Sequence, residues 1–418
     1  NPGQSTNVNF TLTSVFIFDN TFTAQLSDNT GSFAAPTSVG SLASDSDGSI
    51  SITIPSTTSG GNYKVRLVSS NPLVISGEED VTIDRTYYST SSGAFDVITR
   101  WNTAANGSGT NALTADFTDG GSNFIIQSGD AITSPASDLV INNLTIETTG
   151  SFDPFDNNVT ITGTTDITGT FQDTGVAGTN VFVGLFHVNS GGAFTSTFGT
   201  HEYRGGIGNA GTFDTGNGTF HDFTTNSQTV SATTMIDMNG QVDFNADVTG
   251  TETAVEVQLA DAASLQVHTG RTVTNQIATG FLSQRGGSFQ INGTLINDAG
   301  AHLKIWSGSP EGGLTATAFG NTVEYFRSGS QTILDTDYYH LIVGSSGTAN
   351  QSKDFDVNTI NIAGNLEITD TDLTAAASSV LNLSGNLTGG GTSSISMPLN
   401  HLIMSGSPAQ TINLSGFS

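Results

Sequence analysis

Three short aspartate clusters have the residue type and spacing that an oxygen-ligated cation uses. SDSDGS (44–49) sets Asp45 and Asp47 two apart before Gly48, Asp335 and Asp337 flank Thr336, and Asp370 and Asp372 flank Thr371. Alternate carboxylates ahead of a glycine are how a calcium loop begins. A full loop needs more oxygen ligands and a later acidic residue, and here the chain passes directly into ISITIP. The competing role is an Asx turn, in which the carboxylate satisfies nearby backbone N–H groups. Turn chemistry is the expectation at all three clusters. No cofactor is required, and calcium is the ion that carboxylates on adjacent turns would share if they met.

His187, His201 and His221 recur at intervals near twenty residues. Without HxxxH or HExxH spacing, and with no cysteine to assist, they are expected as exposed residues rather than metal ligands. Glu202-Tyr203-Arg204 and His221-Asp222 bring acid, base and phenol close together in sequence. Glycoside chemistry would need such carboxylates to converge from separate strands. Tyr87, Tyr88, Trp101, Trp306, Tyr338 and Tyr339 are candidates for stacking on sugar rings. Their plainer role is to fill corners, with Trp101 plugging one end of the core. No enzyme is expected.

What surrounds these residues narrows the classes. The 418 residues carry a net charge of -27 with only ten Lys and Arg, so nucleic acid and anionic membranes are repelled. No run of about eighteen apolar residues exists to span a bilayer. The chain has no cysteine, no initiator methionine and no signal peptide, and it reads as a processed or partial piece of a longer secreted protein. Fifty glycines and abundant Thr, Ser and Asn accompany 25 Phe, which is the vocabulary of short strands and tight turns.

The elements that must position the candidates are therefore strands. Residues 1–84 alternate in runs such as NFTLTSVFIF and YKVRLVS, predicting an Ig-like antiparallel β-sandwich. Residues 85–136 mix aromatics with a long polar loop and read as an entry or capping segment. From 137 to 418 one theme returns: a short alternating strand, a Gly or Asn turn, another strand. A period near twenty without a helical stripe predicts a β-solenoid, here a parallel β-helix. Some fourteen rungs at about 4.8 Å would make a rod of roughly 65 Å. Uncharged Thr, Asn and Ser suit side chains stacked directly over their counterparts. Gln228-Thr229-Val230, Gln331-Thr332-Ile333 and Gln410-Thr411-Ile412 each follow a Gly, Ser or Asn turn. These glutamines are expected to satisfy backbone groups at a corner rather than to touch a ligand.

Asn321-Thr322-Val323-Glu324-Tyr325, the following GSQTI, Tyr338-Tyr339-His340-Leu341 and INIAGNLEI (360–368) together resemble repeats of large cell-surface proteins of the Bacteroidetes. FTAQLSDNTGSFAAPTSVGS and YKVRLVSSNPLV resemble an Ig-like module of such proteins, and 101–130 resembles their solenoid entry. The resemblance implies export through the outer membrane, often by a type IX system. It also implies an extracellular life as a gliding adhesin or surface fibre. A C-terminal sorting domain belongs to that pattern and is missing here. The expectation is a structural fibre subunit or adhesin stalk that self-associates head to tail and can hold surface glycans. The alternative is a carbohydrate-binding or polysaccharide-degrading β-helix.

Overall fold

The structure, a computed structural model, describes residues 3–413 apart from positions 4, 14, 17–18, 84, 252–256, 260–263, 278–281, 285–286, 346, 348–350, 356–358, 376–378, 397–401 and 408. The fold is all-β, 54% strand and 2% helix. No helix among the described residues is long and apolar enough to cross a membrane.

The first six strands are β1 (Ser5–Phe10), β2 (Thr21–Leu26), β3 (Thr37–Ala43), β4 (Gly48–Thr53), β5 (Gly61–Ser69) and β6 (Glu79–Ile83). They form two antiparallel sheets, β1-β4 and β3-β2-β5-β6. Alternation decides which side of each strand is buried: Phe22, Ala24 and Leu26 of β2 face Ile50 and Ile52 of β4 in one apolar cluster. Strand β7 (Arg85–Ser89) follows at once and is already part of the solenoid. Gly60 and Gly121 mark where the two units touch. A Cβ on Gly121 would lie 1.9 Å from the Gly60 carbonyl oxygen, so backbones meet there with no room for a side chain.

Beyond β7 the chain coils through about 12 turns, fewer than the fourteen expected. Hydrogen-bonded counterparts lie 21 residues apart early on (Asn143 and Thr164), 24 or 25 apart further along (Asp337 and Asn361, His340 and Asn365) and 21 apart again near the end (Asn365 and Asn386). Longer coils give fewer turns for the same chain. The coils lay strands on three faces, and most described strands beyond the entry rung pair in parallel with the one a coil later. On the first face Ser122–Ile126, Leu144–Ile146, Thr165–Ile167 and Phe186–Val188 succeed one another. On the second, Ala131–Thr133, Ser151–Phe152 and Thr170–Asp173 do. On the third come Leu139–Ile141, Val159–Ile161 and Thr179–Phe182. Ala193–Tyr203 and Thr212–Phe223 are long enough to bend around the corner between second and third faces.

Direct stacking turns inward residues into columns. Phe152, Phe171, Phe194 and Phe213 run down the second face with ring centroids 5.3, 5.5 and 4.9 Å apart. Phe182, Tyr203, Phe223 and Phe244 do the same on the third at 5.6, 5.2 and 5.0 Å. Each buried ring contributes roughly 1.5–3 kcal/mol by area, with edge or offset contacts adding to it. The glutamines stack differently. Gln228 is buried and donates to the carbonyls of Tyr203 (2.7 Å) and Thr224 (2.8 Å). Gln331 donates to those of Ile305 and Ser307, both at 2.8 Å, and Gln410 to those of Leu383 and Gly385. All three satisfy corner carbonyls of the preceding rung, the structural role expected of them.

The entry rung is closed by aromatics. Trp101 has no exposed surface, donates its Nε1–H to the Phe95 carbonyl at 2.6 Å, and lies 4.8 Å edge-on from Phe124. Its strand pairs antiparallel with β7, unlike the parallel ladders that follow.

Candidate functional site on the third face

A dense set of ionisable side chains comes from three consecutive third-face segments, 200–203, 219–223 and 241–244. Alternation splits each segment. Glu202, Asp222 and Asp243 are register partners on the outer side, while His201 and His221 are partners on the inner side.

The outer file is a row of carboxylates one rung apart. Glu202 accepts from Arg204 Nε at 2.7 Å and from the Thr224 hydroxyl. Partial burial pushes its carboxyl up, but the hydrogen bonds from Arg204 and Thr224 outweigh this and hold it below the usual range. Asp222 accepts from Asn245 Nδ2 at 2.7 Å. Burial raises its carboxyl, the Asn245 bond opposes that, and the neighbouring carboxylates of Asp243 and Glu202 raise it further. Asp243 meets Gln241 Nε2 at 3.2 Å and His268 Nε2 at 3.4 Å. The row thus places an ionised carboxylate beside one that holds its proton more tightly, flanked by a guanidinium and an imidazole. The two neighbouring carboxyls are thus shifted in opposite directions by their surroundings.

Beneath it lies a buried seam. The His201 and His221 rings are 5.5 Å apart and fully buried, which corrects the expectation that they would be exposed. Strand parity puts them two residues before the core rings Tyr203 and Phe223, on the same side of the strand. His201 Nε2 meets Ser196 Oγ at 2.9 Å and lies 3.9 Å from Asp173 Oδ2. A nucleophile relay needs serine and carboxylate on opposite ring nitrogens. Here both face Nε2, while Nδ1 faces Asn180 Nδ2 at 3.5 Å, so the trio is no such relay. His221 Nε2 meets Thr215 (3.0 Å) and Thr219 (3.2 Å). Burial drives the His201 pKa down to about 3 and that of His221 well below its usual value, the latter helped by His201. Burial raises the Asp173 carboxyl to about 7, aided by Asp153 and Asp156. The two imidazoles of the seam are buried as neutral groups, and the Asp173 carboxyl is neutral beside them below pH 7. His187 lies apart on the first face, where its Nδ1 is 3.4 Å from Asp166 Oδ1.

The aspartate clusters bond to distant segments rather than to the backbone of their own turn, and Asp372 lies inside the strand Thr371–Ala375, which corrects the expectation of Asx turns at all three. Asp47 accepts the Leu12 N–H at 2.6 Å, and Asp337 accepts the Asn361 N–H (2.8 Å) and Nδ2 (2.9 Å) one rung on. Asp370, at φ 52°, accepts the Thr392 N–H at 3.1 Å, and Asp372 accepts the Ser394 hydroxyl. Asp45 and Asp335 are exposed. Asp337 precedes Tyr338 in the column linking Ala316 and Ile362, whereas Asp372 pairs with Ser352 and Ser394, so those clusters lie on different faces. Among the described residues no group of three or more His, Asp or Glu is placed to hold a metal ion.

The aromatic candidates divide. Tyr87, Trp101 and Tyr338 are fully buried, which corrects their selection as exposed sugar platforms. Tyr87 donates to Asp116 at 2.7 Å and receives Arg85 at 2.6 Å, a polar knot beneath the entry cap. Tyr338 shares a 2.9 Å hydrogen bond with Tyr325 inside the core. Tyr88, Trp306 and Tyr339 are half-buried. Trp306 lies under the Arg327 guanidinium, 4.8 Å from its ring centre, and Tyr339 sits 5.1 Å from exposed Phe319. They belong to three separate parts of the solenoid and do not converge.

The carboxylate row was not singled out from the sequence as a set, whereas the recurrence of His201 and His221 about one coil apart was, though as exposed residues. The repeat of Thr-His-Glu-Tyr (200–203) and Phe-His-Asp-Phe (220–223) was the available signal, since equal parity one coil apart implies stacking. Comparison of the chain with protein-family models, curated proteins and solved structures finds no match.

Proposed function

We propose that this chain is an extracellular structural rod, a stalk or fibre subunit of a bacterial surface, that acts through length and self-association. The observation that carries the reading is the three-face register kept through about 12 turns. At about 4.8 Å per rung this gives a rod of roughly 58 Å. Its inner columns are aromatic, aliphatic or amide ladders, and its corners are tied by glutamine and asparagine side chains, as in Asn142 and Asn143 donating to Asn123 at 2.9 and 2.8 Å. Such an arrangement invests the sequence in stiffness. The resemblance to Bacteroidetes surface repeats supports the location, type IX export, and reading the N-terminal unit as Ig-like. The charge of -27 suits a soluble, exposed chain.

Negative-stain microscopy of the purified protein, with and without a calcium chelator, tests this. Straight rods joined head to tail are the expected result, and loss of the joints on chelation would assign calcium to them. Monodisperse single particles with no end-to-end joining at any concentration would refute self-association.

A second reading, glycan binding along the solenoid, is favoured by the Glu202, Asp222 and Asp243 row with Arg204 and His268 beside it. A glycan array probed with the native chain and with Asp222→Asn separates the two. Binding that falls at least tenfold in the variant supports the row as a glycan surface, and absence of any binding dismisses it.

A further inference from the structure

The N-terminal unit and the solenoid are joined with almost no chain between them, since β6 ends at Ile83 and β7 begins at Arg85. Two units of one chain move against each other by default unless their contact forbids it. Two features of this contact do so. The first is steric. A Cβ on Gly60 would lie 2.3 Å from the Gly121 carbonyl oxygen, and one on Gly121 would lie 1.9 Å from that of Gly60. The backbone ahead of β5 therefore touches the backbone ahead of Ser122–Ile126 directly, with no side chain between them to slide or repack.

The second is polar. Arg85 Nη2 donates to the carbonyl of Ser56, in the loop between β4 and β5. Arg85 Nη1 donates to Tyr87 Oη at 2.6 Å, and Tyr87 donates in turn to Asp116 Oδ2 at 2.7 Å. Asp116 also accepts the Leu113 N–H and the Ser122 hydroxyl, both at 2.7 Å. Arg85, Tyr87, Asp116 and Ser122 are all buried. Hydrogen bonds thus run unbroken from the N-terminal backbone into the first rung of the solenoid. A buried guanidinium and a buried carboxylate are costly unless each keeps its partners, so the network favours a single arrangement.

We infer that this junction is a lock that holds the N-terminal unit at one orientation on the solenoid, with Arg85 as its latch. The apolar clusters of the two units share no residue, so the lock fixes direction and leaves each unit its own core. A partner or a pull acting on the N-terminal unit is then carried into the coils without a hinge. The inference stands on the contact alone and does not depend on the rod reading.

The test uses the full chain, whose lack of cysteine lets Asp45→Cys and Ser190→Cys carry spin labels at exposed positions on the two units. Pulsed dipolar spectroscopy is expected to give one narrow distance distribution. Gly121→Val drives the two backbones apart, and Arg85→Met removes the guanidinium but keeps a long apolar stem. Each should at least double the width of the distribution, while slow amide exchange at residues 21–26 and 144–146 shows both units folded. Arg66→Met, at an arginine engaged by Gln25 and Phe33 within the N-terminal unit, should leave the width unchanged. A broad or many-peaked distribution in the labelled native chain would overturn the inference, and that measurement needs no further variant to fold. A distribution that stays narrow in both junction variants would overturn the lock equally.

Discussion

The N-terminal unit and the solenoid use the same alternating strands and reach opposite outcomes. In the first, hairpins fold back on themselves, so a fixed set of six strands leaves β1 and β6 with open edges beside an unfilled trough. In the second, past the antiparallel pair of the entry rung, the described strands run parallel. Thr165–Ile167 is covered by Leu144–Ile146 on one side and Phe186–Val188 on the other, and the same holds rung after rung. Antiparallel closure ends a domain, whereas coiling passes each edge to the next strand. Polar groups also fare differently. Inside the solenoid they are matched by partners a rung away, as with Gln228, while the buried Asn20, Ser27 and Ser69 of the N-terminal unit bond to backbone groups of its own loops and strands.

The comparison is broken most severely by removing a core ring that lies between the two aromatic columns. Phe186 is fully buried among Phe182, Phe194 and Tyr203 at 4.4, 4.9 and 5.8 Å. Phe186→Ala should cost the solenoid about 3–5 kcal/mol. Chemical denaturation should show the solenoid transition shifted, and the exchange rates of residues 21–26 in β2 should stay unchanged. Gln331→Leu comes next, since it strips the Ile305 and Ser307 carbonyls of their donor and the Lys353 ammonium of an acceptor 3.1 Å away. A loss of about 1–3 kcal/mol is expected by the same denaturation measurement.

The buried seam sharpens the contrast through pH. His201 falls from 6.5 to about 3 on folding, so its contribution is present above pH 6.5 and is lost as pH drops toward 3. Asp173 rises from 3.8 to about 7, so its contribution is present below pH 3.8 and is lost as pH climbs through 7. The two slopes oppose each other between pH 4 and 6.5. Asp173→Asn should therefore gain stability relative to the native chain at pH 8 compared with pH 4. His201→Gln should lessen the acid-side decline, with buried His221 keeping its own share of it. Denaturation midpoints across that range check both, and equal shifts at every pH would refute the seam's neutrality. The smallest effect is expected at exposed Asp45, where Asp45→Ala should stay within about 0.5 kcal/mol of the native midpoint.

Much of the architecture could be read directly. Alternation at Phe22-Thr23-Ala24 and again at Val159-Thr160-Ile161 marks strands, and a coil length near twenty marks a solenoid. The role of the Gln-Thr repeats was legible because a residue type recurring after a turn points to a recurring backbone need. Burial of individual aromatics was not. Tyr338 and Tyr339 are neighbours of one type, yet Tyr338 is fully buried and Tyr339 half-exposed, because a corner decides which side of the chain faces in.

By itself the sequence determined the strand content, the coiling and the excess of acid, since these follow from local alternation, turn residues and composition. Only the tertiary structure decided that Glu202, Asp222 and Asp243 form a row, that His201 lies over His221, and that β1 and β6 border one cleft. Those facts depend on register between segments twenty or more residues apart. A shift of one residue would send every side chain to the opposite face, and no local signal fixes that choice.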